Sequence, residues 1–248
     1  MQNLRHTLLR ILQNSGLSAL PSPCALCGNE GRSALCSPCY QQFIRSTSTR
    51  CLRCAIELEL GHDRSMQQCG ACLKAPPQFE RTIVAATYAA PNDQLLIALK
   101  FLHQLALAPL LASALRDAAL REMNLPMPDL LCPVPLSLQR LSERGFNQSL
   151  EIAKPFAAQL GVKLMPRLLL RTRHTLAQSS LHPDQRHKNI RRAFAVDSSA
   201  MDAVKDRHIG VVDDVMTTGT TLDEIAGTLK RFGAKRVTNF VVARTPLH

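Results

Sequence analysis

Residues 209–222 read Ile-Gly-Val-Val-Asp-Asp-Val-Met-Thr-Thr-Gly-Thr-Thr-Leu. An apolar approach, Ile209 to Val212, ends in two adjacent acids. Thr217, Thr218, Gly219, Thr220 and Thr221 follow, and a helical pattern starts near Leu222. The order is strand, polar turn, helix N-terminus. Successive backbone N–H groups in such a turn, backed by the positive end of the helix dipole, form an anion site. The threonine hydroxyls add donors, and Gly219 lets a bulky oxyanion approach the backbone. A phosphate suits the Thr/Gly run. Asp213 and Asp214, expected at the rim, suit sugar hydroxyls or a bridging metal ion. No Gly-Lys-Ser/Thr follows, so this is not a Walker loop.

Working outward, the sequence alternates strand and helix. Strands are predicted over Thr82–Tyr88, Asp129–Val134, Lys163–Leu170, His208–Asp213 and Arg236–Arg244. Helices are predicted over Asn92–Phe101, Leu105–Met123, Asn147–Leu160, His182–Ala193 and Thr221–Phe232. Such alternation implies an α/β fold with a parallel sheet covered by helices, in which ligands bind at the carboxyl ends of the strands. The Asp-Asp-Thr-Thr-Gly turn lies at such an end.

A different chemistry precedes this region. Eight of the nine cysteines form four Cys-x-x-Cys pairs: Cys24/Cys27, Cys36/Cys39, Cys51/Cys54 and Cys69/Cys72. Each pair aims two thiolates at one tetrahedral ion, and two pairs complete a structural zinc site with no open position. Two zinc ions are expected, paired sequentially in the simplest reading, with cross-bracing as the alternative. Roughly fifty residues with few large apolar groups need such metal to fold. Three parts are expected: an N-terminal amphipathic helix over 1–20, a double zinc ribbon over 21–75, and an α/β domain over 80–248. Ala-Pro-Pro-Gln (75–78) serves as a stiff connector. Cys132, in a strand-like apolar run, reads as core.

The chain has 248 residues, 46% apolar, with a formal net charge of +11. From Arg140 to Arg192 eleven Lys/Arg face only Glu143, Glu151 and Asp184. That excess points to a polyanion, either a polyphosphate or nucleic acid. No apolar run is long enough to span a bilayer. Charges interrupt the apolar residues of Met1–Leu20, which therefore do not read as a signal peptide, and a cytoplasmic location is expected.

Other candidate anion contacts are scattered along the chain. One is Arg144, in Arg144-Gly145-Phe146-Asn147-Gln148, following the Cys132-Pro133-Val134-Pro135 strand exit. Others are Gln178, Arg186 and Asn189 in a polar, basic flap, and Lys100 in Leu99-Lys100-Phe101.

Residues 209–221 resemble the 5-phosphoribosyl-1-pyrophosphate (PRPP) motif of type I phosphoribosyltransferases. With the cysteine pairs, Leu99-Lys100-Phe101, Pro133-Val134-Pro135-Leu136, Arg144–Gln148, Gln178, Arg186-x-x-Asn189 and Ala193-Phe194, the ordered set resembles the ComF family, phosphoribosyltransferase-like (GntX-like) proteins linked to DNA uptake and natural transformation. The resemblance implies a type I phosphoribosyltransferase-like domain preceded by a zinc-ribbon domain. It also implies a Mg²⁺-dependent PRPP site, and with it a glycosyltransferase reaction on an acceptor left open. Thr217 to Thr221 would hold the 5-phosphate. Asp213 and Asp214 would be the catalytic pair, holding the ribose hydroxyls and stabilising positive charge on the ring. Lys100, Arg144, Gln178, Arg186 and Asn189 would serve the pyrophosphate or the flap. The purine-specific branch carries a general-base Asp three positions after the acid pair. Thr217 stands there, which disfavours purine salvage. The alternative is a non-catalytic competence factor that uses the PRPP site for regulation and binds single-stranded DNA or a helicase or other uptake protein. In either case Arg171 and Arg173, outside these motifs, would belong to a DNA-contacting face.

Overall fold

The structure, a computed structural model, describes residues 22–31, 33–45, 48–58, 67–122, 125–172 and 193–246. Its centre is a five-stranded, wholly parallel sheet. In spatial order the strands are β3 (Arg81–Thr87), β9 (Arg236–Arg244), β8 (His208–Met216), β4 (Leu130–Pro133) and β5 (Lys163–Leu164). Parallel strands carry helices on both faces, and their side chains alternate between two cores. Leu131, Val212, Phe240 and Val242 face one core with helices α3 (Asn92–Phe101), α4 (Leu107–Arg121) and α6 (Gln148–Leu160). Leu130, Cys132, Ile209, Val211, Val237 and Val241 face the other, with helix α7 (Thr220–Arg231). Cys132 is a core residue, as expected. Gly210 is required where β8 crosses β4, since a Cβ there would lie 2.4 Å from Leu131 Cδ2.

Two details of the alternation differ from the sequence pattern. The run read as one strand over Lys163–Leu170 is two. β5 pairs with the main sheet, and Pro166, which has no N–H to give a ladder, marks a turn closed by Leu168 N on Met165 O (3.3 Å). The chain resumes as β6 (Leu169–Arg171), paired antiparallel with β7 (Phe194–Val196). The second difference is a short helix α5 (Leu138–Arg144), where a loop was expected. Ser137 Oγ caps it by accepting from Arg140 N, and Gly145 ends it at φ 78°. None of its residues is buried, so no apolar stripe announced it. The helix expected over His182–Ala193 lies outside the described residues except for Ala193, which is not helical. The amphipathic helix expected over 1–20 also lies outside them.

Two small cysteine modules pack on this body. The first contains the β1–β2 pair (Ser22–Pro23 with Glu30–Gly31), helix α1 (Ser37–Cys39) and a π-helical turn over Tyr40–Ile44. Its Cys24, Leu35, Cys39 and Ile44 join the core beneath α3 and α4. Tyr40 donates to Asp117 on α4, and Asn92 Nδ2 donates to Phe43 O at 2.7 Å. The second module includes helix α2 (Gly70–Lys74) and sits at the β3–β9 edge. There Arg53 donates to Phe79 O (2.6 Å) and Thr82 N to Leu52 O (3.1 Å). Among the described residues no helix is long and apolar enough to cross a membrane.

Candidate functional site

The carboxyl ends of β8 and β4 open into a cleft of about 710 Å³, bounded by α3, α5, α6 and β6. At its base, β8 runs two pairs further than expected, because Val215 and Met216 still register with Ala243 and Arg244 of β9. Asp213 and Asp214 therefore belong to the strand and are buried, 9% and 5% exposed, rather than held at the rim of a turn. Buried acids need partners. Asp213 Oδ1 accepts from Ser149 Oγ at 2.9 Å and from Asp214 N at 3.0 Å. Asp214 Oδ1 accepts from Gln148 Nε2 at 3.3 Å, and its other oxygen pairs with Lys100.

The two acids differ electrostatically. Burial pushes the Asp213 carboxyl up to about 8, and the neighbouring Asp214 charge adds to the push. Burial also opposes charge on Asp214, but the Lys100 ammonium outweighs it and holds that carboxyl below its usual value. The resting site thus holds one ionised carboxylate and one poised to ionise when a cation or hydroxyl donors arrive.

Thr217 to Thr221 form the turn into α7. Thr217 and Thr218 are exposed, while Gly219 and Thr220 are buried. Gly219 is the N-cap at φ 86° and has no side chain to cap the helix, and Thr218 Oγ1 accepts from Thr220 N at 3.4 Å. The Thr218 and Thr220 hydroxyls meet at 2.8 Å around it. Thr217 and Thr221 line the cleft directly. A twelve-residue helix that opens at a cleft behind a glycine N-cap, with threonine hydroxyls beside it, provides the donors an oxyanion needs.

Cations converge from three other elements. Lys100 ends α3, Arg140 and Arg144 lie on α5, and Arg171 ends β6, all lining the cleft. Arg144 stands over the Phe101 ring at 5.2 Å and donates to Gln148 Oε1 at 2.5 Å. Arg171 stands over Phe194 at 5.5 Å. Burial lowers the pKa of Arg144 and of Arg171, and the charge of Arg140 works the same way on both. Like charges held together in this manner favour an anion between them.

The structure thus brings together Lys100, Arg144, Asp213, Asp214 and the Thr217–Thr221 turn. Gln178, Arg186 and Asn189 lie outside the described residues. Arg171, expected on a separate face, is a cleft residue, and Arg173 lies outside the described residues. Sequence reasoning missed Arg140, Gln148 and Ser149 as contacts of the site. The signal for Gln148 and Ser149 was Asn147, which caps α6 through Ser149 N (3.0 Å) and ties it to Val134 O (3.0 Å), turning the first turn of α6 toward the acids; for Arg140, on α5, it was the cap Ser137.

The cysteines assemble sequentially, in two sets: Cys24, Cys27, Cys36 and Cys39, and Cys51, Cys54, Cys69 and Cys72. In each, the four sulfurs lie within 4.8 Å of one another, so either set could hold a metal ion. This is the simpler of the two pairings considered. The sets share a pattern: the third cysteine's N–H donates to the first sulfur, Cys36 to Cys24 at 3.4 Å and Cys69 to Cys51 at 3.3 Å. The Cys27 and Cys36 sulfurs lie 3.7 Å apart and the Cys54 and Cys69 sulfurs 3.6 Å, too far for a disulfide, and all eight thiols are free. The Cys54 thiol pulls Cys51 down to about 4, whereas burial pushes Cys39 and Cys72 up to about 12. Four thiols held within 4.8 Å of one another suit a central cation, which lets all four ionise.

Comparison with known proteins adds to this geometry. Residues 147–246 match the family described as phosphoribosyl transferase domain. The DNA utilization protein YhgH of Escherichia coli (strain K12) is 35% identical over 204 residues, 81% of this chain and 86% of that protein. Competence protein F of Haemophilus influenzae is 32% identical over 198 residues, 78% of this chain and 84% of that protein. Among solved structures, one titled as the allosteric regulatory enzyme of purine biosynthesis is 21% identical over 55% of this chain and 25% of its own. Its TM-score of 0.37 is too low to support any conclusion about this chain.

Proposed function

This chain belongs to the ComF family, and from that premise we propose that its cleft binds PRPP with Mg²⁺ and transfers the phosphoribosyl group to an acceptor during the use of imported DNA. The observation that carries this reading is the buried pair Asp213–Asp214 between the Thr/Gly turn at a helix N-terminus and four cations. In it, Thr217 to Thr221 hold the 5-phosphate. Asp213 and Asp214 accept from the ribose hydroxyls and stabilise positive charge as it develops on the ring. Lys100, Arg140, Arg144 and Arg171 hold the pyrophosphate, Arg in bidentate fashion. Gln178, Arg186 and Asn189 complete the flap. Asp213 and Asp214 fit Mg²⁺ as paired carboxylates whose joint charge burial resists; when bound, Mg²⁺ supplies further neutralisation of the leaving group.

Transfer of this kind needs no protein nucleophile; it needs orientation and exclusion of water. With Thr217 in the place of a general base, the acceptor must arrive already nucleophilic, as an amine or an anionic nitrogen. Calorimetric titration of PRPP with and without Mg²⁺, followed by a pyrophosphate-release screen over bases, amines and DNA, tests the reading. Binding that ignores Mg²⁺, or no release with any acceptor, overturns the catalytic part. The acid pair gives a second expectation. Binding at pH 7 should release close to one proton, from Asp213, and none near pH 9.5. Equal titration enthalpies in buffers of different ionisation heat at pH 7 would contradict it.

The cysteine sets are read as two structural zinc centres within a module over 21–75, ahead of a transferase domain over 80–248. Elemental analysis should return about two zinc ions per chain. Thiol sets of this kind suit a reducing compartment, the cytoplasm.

The names of the relatives favour a second reading, in which the PRPP site is regulatory and the chain binds single-stranded DNA or a helicase-type partner. DNA affinity should then fall with salt by roughly 0.7 log units per log unit for each phosphate neutralised. Arg171→Ala should weaken PRPP binding too, because Arg171 lines the cleft. No DNA binding at low salt would discard the DNA half of this reading and leave only the protein partner.

A further inference from the structure

Arg244 ends β9 and is buried, 6% exposed, yet it contacts neither the cleft acids nor the cationic cluster. Its guanidinium joins two parts of the molecule. Nε donates to the carbonyl of Cys54 at 3.0 Å, and Nη1 donates to the carbonyl of Met216 at 3.3 Å. Nη1 also donates to Thr245 O (2.9 Å) and Thr245 Oγ1 (3.0 Å), which hold the fork in place. Cys54 belongs to the second cysteine set, and its peptide lies in the Cys51–Cys54 knuckle, closed by Ala55 N on Cys51 O at 2.8 Å. Met216 is the last residue of β8, directly before Thr217. Its side chain lies under the turn, since a Cβ on Gly219 would come within 2.5 Å of Met216 Cε.

The Met216 carbonyl also accepts from Thr245 N at 3.1 Å, and a planar guanidinium bridging it to the part-buried Cys54 carbonyl fixes their separation better than either neutral contact could. Whatever orients the Cys54 carbonyl therefore bears on where the Met216 carbonyl and the following amides stand. The four thiols around Cys54 do this when a cation holds them in one tetrahedron. The first cysteine set is placed differently: its module bonds to α3 and α4 through Asn92 and Asp117.

We propose that Arg244 is a positioning residue that couples the second cysteine centre to the Thr217–Thr221 turn, so that metal held by Cys51, Cys54, Cys69 and Cys72 sets the geometry of the anion site. This rests on reading those thiols as a metal centre and the turn as a phosphate site. The second cysteine module then acts on ligand binding as well as on folding, while the first has no such role.

The test uses the full-length, metal-loaded protein and three readouts: zinc content, hydrogen exchange of the amides over 216–221, and calorimetric binding of PRPP and of inorganic phosphate. Arg244→Met should keep two zinc ions, speed exchange over 216–221 at least roughly tenfold and weaken both ligands by a similar factor, the worth of a lost charged hydrogen bond. Arg244→Lys, with the charge but no fork, should fall between. Cys69→Ser should lose one zinc and loosen the same amides, yet add little in the Arg244→Met background, because coupled changes are not additive. Cys27→Ser should lose one zinc and leave 216–221 as in the parent. Parental exchange over 216–221 in Arg244→Met overturns the proposal, as does equal loosening by Cys27→Ser. If Cys69→Ser does not fold, Arg244→Met and Arg244→Lys still decide, since both keep every thiol. If the parent protein binds neither PRPP nor phosphate, the phosphate reading fails, and the exchange data still decide whether Arg244 positions the turn.

Discussion

The Asp213→Asn/Asp214→Asn protein should bind PRPP at least roughly a hundredfold more weakly than the parent, the loss expected when two charge-assisted interactions disappear together. The amides cannot balance a divalent cation, and each offers one acceptor where a carboxylate offers two. The single variants should separate the two roles. Asp214→Asn removes the partner of Lys100, whose side chain is 16% exposed, and leaves a half-buried ammonium without its counter-charge, so stability should fall with affinity. Asp213→Asn should behave differently. Because burial raises the Asp213 carboxyl from 3.8 to about 8, its contribution to folding is full below pH 4 and is lost as pH rises through 8. Asn resembles the protonated acid at every pH. Asp213→Asn should therefore match the parent in thermal stability only below about pH 4 and gain on it progressively up to pH 8, by on the order of 1–3 kcal/mol, while losing affinity throughout. Scanning calorimetry at pH 4 and pH 9 checks this. A variant less stable than the parent at pH 9 would show that Asp213 is a structural acid, charged in the folded state.

The strongest local signals in the sequence correspond to the structure where pattern and packing agree. Arg236–Arg244 is an inner strand buried along nearly its whole length, and its β-branched and apolar residues, Val237 and Phe240 to Ala243, say so. The Cys-x-x-Cys spacing announced the two sulfur sets, because a knuckle is a local turn. Features were illegible where a distant partner decides. Asp213 and Asp214 interrupt an apolar run, which stops the predicted strand at Asp213 with the pair at its rim. Pairing with β9 carries them in extended form, and Ser149, Gln148 and Lys100 make their burial tolerable. Arg171 read as a surface charge because its place depends on β7, more than twenty residues later, which folds β6 back toward the cleft. Helix α5 left no stripe because it rims the site instead of covering a core. Only Ser137 and Gly145, a cap and a stop, marked its ends. The cationic rim of the cleft is thus the least patterned part of the chain, since half-buried cations on separate elements obey no periodicity.

The second large effect belongs to Gly219. At φ 86° it occupies a conformation that a β-branched residue adopts only with strain, and a Cβ would stand 2.5 Å from Met216 Cε. Gly219→Val must therefore shift the backbone between two threonines whose hydroxyls meet at 2.8 Å, or push Met216 from beneath the turn. Either movement turns the first N–H groups of α7 away from the cleft. Affinity for ribose 5-phosphate and for PRPP should fall by the same factor, roughly a hundredfold, because both present the same 5-phosphate to the turn. The stability cost should be smaller, about 1–3 kcal/mol, since the strain is local to a strand end. Zinc content should not change. Thr218→Val, which removes one hydroxyl and keeps the backbone, should cost only about tenfold. Comparison with the acid variants assigns the two halves of the site. Loss of the carboxylates should penalise PRPP with Mg²⁺ more than ribose 5-phosphate, whereas Gly219→Val should penalise both alike. If Gly219→Val binds ribose 5-phosphate as the parent does, the Thr217–Thr221 turn is not the phosphate site. The anion would then have to be held by Arg140, Arg144 and Arg171 on the opposite wall of the cleft.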